Sequence, residues 1–248
     1  MENDIAAQAF DLFVQGGQSN SDGTGFGDVE RPYEPTEKVL YMLPGGGIEV
    51  AKERPWDGMT AGDLSLSFAE KYIADGLLAE GRKILILRGA VGGTGFLDGR
   101  WRPGDDLHAN LMRMIKEALA LNIENRPVVF LWHQGETDAG LKASYETHAK
   151  HLETLVGDVR EACFTPSLPF ICADFVQEWK AVEGTTFPLV ERAMRNVCKA
   201  DPFAKFVETD GLASNNQQYG GGDTIHFSRA ALQQLGVRYF EAYKKIIR

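Results

Sequence analysis

Phe10-Asp11-Leu12-Phe13-Val14-Gln15-Gly16-Gly17-Gln18-Ser19-Asn20 is the stretch that decides the fold. The apolar run 10–14, interrupted only by Asp11, has the length of a buried strand, and two glycines and a serine end it. Gly16 and Gly17 permit a sharp turn there and let the backbone pass close to a bound ligand. A serine at such a strand end, between Gln18 and Asn20, is placed to act as a nucleophile. It becomes one only if a base lies within hydrogen-bond reach and donors receive the oxyanion it creates. The competing reading is a serine that merely caps a following helix.

Outward from this stretch the same pattern recurs. Residues 39–43, 83–87, 127–132, 169–175 and 205–208 read as strands. A helix is expected from an Asp63 cap to about Leu78, and another carries the stripe Leu107, Leu111, Met114, Ile115, Ala118 and Leu119. Three more are expected over 144–162, over 189–199 and from Ser228 onward, the last with Leu232, Leu235, Tyr239, Tyr243 and Ile246 on one face. Apolar strands alternating with amphipathic helices predict an α/β fold, a three-layer α/β/α sandwich on a mostly parallel sheet. With no internal repeat and no linker-like shift in composition, residues 1–248 are expected to form one domain.

Composition narrows the function. The chain has 248 residues, 44% hydrophobic and 25% charged, and a formal net charge of −9. That length buries a core without staples. The acidic balance speaks against nucleic acid or an anionic membrane surface as partner. Cys163, Cys172 and Cys198, an odd number without a CxxC pair, read as buried thiols in a reducing compartment. With neither a secretory leader pattern nor an apolar stretch of membrane-spanning length, a cytoplasmic protein is expected.

In open parallel sheets the site lies beyond the carboxyl ends of the strands. Three polar, glycine-rich segments fall there: Gly17-Gln18-Ser19-Asn20; Val91-Gly92-Gly93-Thr94-Gly95, with Trp101 and Pro103-Gly104 behind it; and Trp132-His133-Gln134-Gly135-Glu136-Thr137-Asp138. A fourth block, Asp223-Thr224-Ile225-His226, precedes the last helix. Ser19 needs a proton acceptor near neutral pH, which imidazole provides (about 6.5 when unperturbed). A carboxylate three residues before that histidine is placed to accept its other ring N–H and hold the tautomer. Gly92 leaves a backbone N–H accessible, and losing one oxyanion donor typically costs about 2.7–4 kcal/mol of barrier.

These four blocks, in this order over residues 10–245, resemble the SGNH/GDSL hydrolase superfamily. Within it they are most similar to the sialate O-acetylesterase and acetylxylan-esterase-like branch, carbohydrate esterase family 6. The resemblance implies a flavodoxin-like fold and hydrolysis of acetyl esters on a sugar or oligosaccharide through an acyl-enzyme, without metal or organic cofactor. Ser19 would be the nucleophile, His226 the base and Asp223 its orienting carboxylate. The oxyanion hole would comprise the N–H groups of Ser19 and Gly92, with Gly93 as the adjacent possibility, and the side-chain amide of Gln134. Two departures stand out: the superfamily's usual Asn donor is absent from the third block, and Gly17 stands where Ala is usual. The alternatives are the same fold acting on a lipid, thioester or aryl ester, or a non-catalytic carbohydrate-binding protein.

Other residues receive supporting expectations. Gln18, Asn20, Glu136, His133 and Trp101 are expected to support the site or line it, Glu136 as an acceptor that fixes the loop or Gln134. Glu136 and Asp138 lie too close on one loop to flank a sugar as glycosidase carboxylates do. His148 and His151 are expected on a solvated helical face, with no second cluster to complete a metal site. Of Trp56, Trp101 and Trp179, Trp101 is expected to be the aromatic that meets a sugar ring, and the other two are expected in core or rim. Segments 21–62 and 213–222 are expected to shape the substrate cleft.

Overall fold

A computed structural model describes residues 5–56 and 58–248. A seven-stranded sheet forms its centre, in the order β3-β2-β6-β1-β7-β8-β9. The strands are β1 (Phe10–Gly17), β2 (Val39–Met42), β3 (Ile48–Val50), β6 (Lys83–Arg88), β7 (Arg126–His133), β8 (Phe170–Ala173) and β9 (Ala204–Val207). All neighbours run parallel except β3, which returns antiparallel along β2. β4 (Arg54–Trp56) and β5 (Met59–Ala61) form a separate hairpin. The expected mostly parallel α/β/α architecture is therefore the one observed.

The order β6-β1-β7-β8-β9 is flavodoxin-like: the chain leaves β1 to one side, reaches β6, then crosses to the other side at β7. Crevices open at such switch points. β1 and β7 pair up to Gly17 and His133, so the glycine-serine stretch and the His133–Asp138 block emerge side by side. β1 runs through both glycines rather than turning before them. A Cβ on Gly17, at φ +122°, would lie 2.1 Å from the His133 carbonyl oxygen, and one on Gly16 would press on the Trp132 ring at 3.0 Å. The close approach that needs these glycines is thus to β7, not to a ligand.

Helices cover both faces. α2 (Leu64–Ala74) packs against α9 (Arg229–Ile247), where Phe13, Phe68, Tyr72, Phe240 and Tyr243 interlock edge to face. α3 (Asp106–Leu121), α5 (Tyr145–Ala162) and α7 (Pro188–Ala200) pack in a row. The Asp63, Ser144 and Ser228 side chains accept N–H groups of Ser65, Thr147 and Ala231 as N-caps, each satisfying a donor the helix leaves open. α2 stops at Ala74, short of the expected Leu78, because Gly76 turns the chain at φ +73°. Short helices α1 (Ser19–Asp22), α4 (Glu136–Gly140), α6 (Gln177–Glu183) and α8 (Asn215–Tyr219) complete the described elements. The three cysteines are buried and free, Cys172 and Cys198 with sulfurs 3.5 Å apart. No helix among the described residues is long and apolar enough to cross a membrane.

Candidate active site

The carboxyl ends of β1, β6 and β7 and the loop before α9 meet at a cleft of about 540 Å³, a size suited to a small ligand. Ser19, Gly92, Gly93, Glu136 and His226 line it, with Trp56 on its rim. Ser19 opens α1, the single turn that β1 feeds, so its side chain is carried by the strand end. His226 Nε2 lies 2.9 Å from Ser19 Oγ, and Nδ1 lies 2.9 Å and 3.0 Å from the two Asp223 oxygens. Residues 207 positions apart in the chain thus form one Ser-His-Asp line. Burial pushes the Asp223 carboxyl up, but the hydrogen bonds from His226 and from Asn215 Nδ2 (2.8 Å) outweigh it and hold it below its ordinary range.

The polar neighbours of Ser19 hold the loops rather than facing the cleft alone. Asn20 Nδ2 donates to the Ile225 carbonyl (3.0 Å) and to Glu136 Oε1 (2.8 Å), while its Oδ1 accepts the Phe227 N–H (3.0 Å). It grips the backbone on both sides of His226. Gln18 Oε1 accepts the N–H groups of Gly135 and Thr137, clamping the end of β7. Glu136 is buried against Asn20 and His133. Burial pushes its carboxyl up, and these partners bring it below the usual value.

Among the expected oxyanion donors, Gly92 sits directly on Ser19: a Cβ there would lie 3.6 Å from Ser19 Cβ. The Ser19 N–H, at the start of α1, has no partner within the helix. Gln134 also helps to hold its own loop. Its side chain is buried outside the cleft lining, and Nε2 donates to Asp138 Oδ2 at 2.8 Å, leaving one N–H uncommitted. Asp138 also accepts the N–H groups of Phe96 and Leu97 at 3.0 and 2.8 Å. It therefore ties the loop that carries Gly92 to the block that carries Gln134. Burial raises its pKa, but His148 at 3.5 Å and those N–H groups bring it below the ordinary range.

Several expectations are corrected. Trp101 is fully buried (0% exposed): its indole N–H donates to Thr94 Oγ1, whose hydroxyl donates to the Val91 carbonyl, so it braces the Gly92 loop and meets no sugar. Of the two roles expected for His133, supporting the site or lining it, it has the first: it is buried between Tyr239 and Phe227 beside Glu136 and is not among the cleft-lining residues. His148 is buried beside Asp138 and Phe96 rather than solvated, because Asp138 draws it inward. Residues 213–222 act from behind the cleft through Asn215, which holds Asp223 and bonds Thr24 and Phe26 of the opposite loop. Trp56, expected in core or rim, is at the rim, where it lines the cleft together with Asp22 and Thr24. Its signal was legible: Asp57-Gly58 between Arg54-Pro55-Trp56 and Met59-Thr60-Ala61 is a strong hairpin dipeptide. Asn215 carried no sequence signal, since its role depends on contacts 8 and 191 residues away.

Residues 9–245 match the family described as carbohydrate esterase, sialic acid-specific acetylesterase. The chain belongs to this family. It is accordingly a carboxylic ester hydrolase of the carbohydrate acetylesterase kind, on an SGNH hydrolase fold. Solved structures share that fold. NanS superposes with TM-score 0.78 at 19% identity over 97% of this chain and 98% of its own. A protein from Arabidopsis thaliana gives 0.75 at 20% identity over 95% and 98%. A carbohydrate acetylesterase from Xanthomonas citri gives 0.67 at 16% identity over 95% of this chain and 56% of the other. No curated protein sequence matches significantly.

Proposed function

We propose that this member of the family removes O-acetyl groups from a sugar or oligosaccharide through a Ser19-His226-Asp223 acyl-enzyme mechanism. One observation carries the reading: His226 stands within hydrogen-bond distance of Ser19 Oγ on one side and of Asp223 on the other. Neutral His226 takes the Ser19 proton as Oγ adds to the ester carbonyl. Ionised Asp223 stabilises the imidazolium so formed. The Ser19 and Gly92 N–H groups receive the oxyanion, and the free N–H of Gln134 is the third candidate. Protonated His226 returns its proton to the departing sugar oxygen, leaving an acetyl group on Ser19. A water, deprotonated by the same imidazole, then releases acetate.

The test is intact mass after incubation with a serine-directed organophosphonate, on wild type and on Ser19→Ala. A single adduct on wild type that is absent from the variant is expected. No adduct on folded wild type overturns the nucleophile and favours a carbohydrate-binding protein. Acetate release from acetylated sugars should then exceed release of butyrate from the matching butyrates. Comparable rates would redirect the reading to a broader esterase.

A further inference from the structure

The β4–β5 hairpin brings Trp56 to the cleft and is fastened to the segment carrying Ser19. Gly62, just past β5, donates its N–H to the Gly25 carbonyl at 2.8 Å. Arg54 forms an ion pair with Asp22, the last residue of α1, at 2.6 Å, and Arg88 holds Asp22 from the other side at 3.2 Å. The Arg54 guanidinium lies 5.0 Å from the centre of the Trp56 ring. An indole has two faces, and a stacked guanidinium occupies one. Trp56 is nevertheless 47% exposed and lines the same cleft as Ser19 and His226. It is the one tryptophan, tyrosine or phenylalanine among the described lining residues.

We propose that the free face of Trp56 is the platform for the sugar ring of the substrate, with Arg54 and Asp22 fixing its position relative to Ser19. The apolar C–H face of a pyranose matches a flat, rigid indole, which stacks at little cost in side-chain entropy. The Asp22–Arg54–Trp56 chain makes the platform part of the same body as the nucleophile. A ring seated on Trp56 presents its acetylated hydroxyl towards Ser19, so Trp56 selects cyclic acetates over acyclic ones. This rests on the carbohydrate reading given above.

The experiment compares wild type, Trp56→Ala and Trp56→Phe on mono-O-acetylated methyl xyloside and glucoside, on O-acetylated N-acetylneuraminic acid, and on ethyl acetate. Acetate release is followed by pH-stat; aryl acetates are avoided because their own ring would stack on Trp56. The readout is the ratio of kcat/KM on an acetylated sugar to kcat/KM on ethyl acetate. Trp56→Ala is expected to lower that ratio about tenfold, mainly through KM, and Trp56→Phe to restore most of it. An unchanged ratio in Trp56→Ala, with the sugars still hydrolysed by wild type, overturns the platform alone. Wild type that hydrolyses ethyl acetate but none of the sugars overturns the carbohydrate reading and the platform with it.

Discussion

The two ends of β1 surround most of their carboxylates with different partners. At the start of the strand, Asp11 is fully buried and accepts hydrogen bonds from Arg82 (2.6 Å), Arg126 (2.7 and 2.9 Å) and the Tyr72 hydroxyl (2.8 Å). At the far end Asp22 still pairs with Arg54 and Arg88, but the partners of Asp223, Glu136 and Asp138 are the histidines His226, His133 and His148, together with amide groups. A guanidinium is permanently charged and cancels a carboxylate once and for all. Imidazole is the side chain whose charge changes near neutral pH. In the mechanism proposed above, the Asp223 charge stabilises the imidazolium formed when His226 takes the Ser19 proton. On that proposal, one end of β1 serves stability and the other proton transfer.

Exchanging charges at each end tests that contrast. Asp223→Asn should cost the most: it removes the acceptor that sets the His226 tautomer, and kcat is expected to fall roughly 10³- to 10⁴-fold with little change in KM. A loss confined to KM would break the assignment. Asp11→Asn should leave kcat/KM per folded molecule unchanged while lowering unfolding stability by about 3 kcal/mol, read by urea denaturation at neutral pH, because two guanidiniums lose their partner. If it lowered activity instead, the two ends would not be separable.

Asp138→Asn sharpens the contrast within the functional end. It leaves Ser19, His226 and Asp223 in place but presents an amide to the Phe96, Leu97 and Gln134 donors. A fall in kcat of about a hundredfold with near-constant KM, comparable to losing one oxyanion donor, is expected from steady-state kinetics. An unchanged kcat would mean that Gly92 holds its place without Asp138.

The smallest effect is on acid stability. Burial raises the Asp11 carboxyl, but Arg126, Tyr72 and Arg82 together bring it below its ordinary value of 3.8. A carboxyl depressed in the folded state contributes fully above its unfolded pKa of about 3.9, and that contribution is lost as pH falls through the folded value. Unfolding stability of wild type should therefore drop below about pH 4, and more shallowly in Asp11→Asn. Parallel slopes in the two proteins would contradict the Asp11 pairing.

Legibility in the sequence followed the range of the interaction. Strand and helix positions were readable wherever a local period or cap residue specified them, as with Asp63, Ser144 and Ser228. The hairpin at the cleft was missed, although Asp57-Gly58 announced it, because its strands are only three residues each and lack an apolar alternation. Ser19, His226, Asp223 and Gly92 stood out because their chemistry demands particular residue types at strand ends. Trp101 is in the core and Trp56 at the cleft, since a tryptophan beside a motif and one in a hairpin look alike until burial is known.

By itself, the sequence determined the alternation that makes a parallel sheet, the residue types that acyl transfer would need, and the order of the four blocks. These follow from periodicities and functional groups that belong to residues one at a time or a few positions apart. Only the tertiary structure decided that Asp138 joins the Gly92 loop to Gln134, that Asn20 and Asn215 hold His226 and Asp223, and which tryptophan meets the cleft. Each of those facts is a hydrogen bond, an exposure or a packing contact between segments far apart in the chain. Which donor meets which acceptor is settled by the packed sheet and helices, and local pattern carries no record of it.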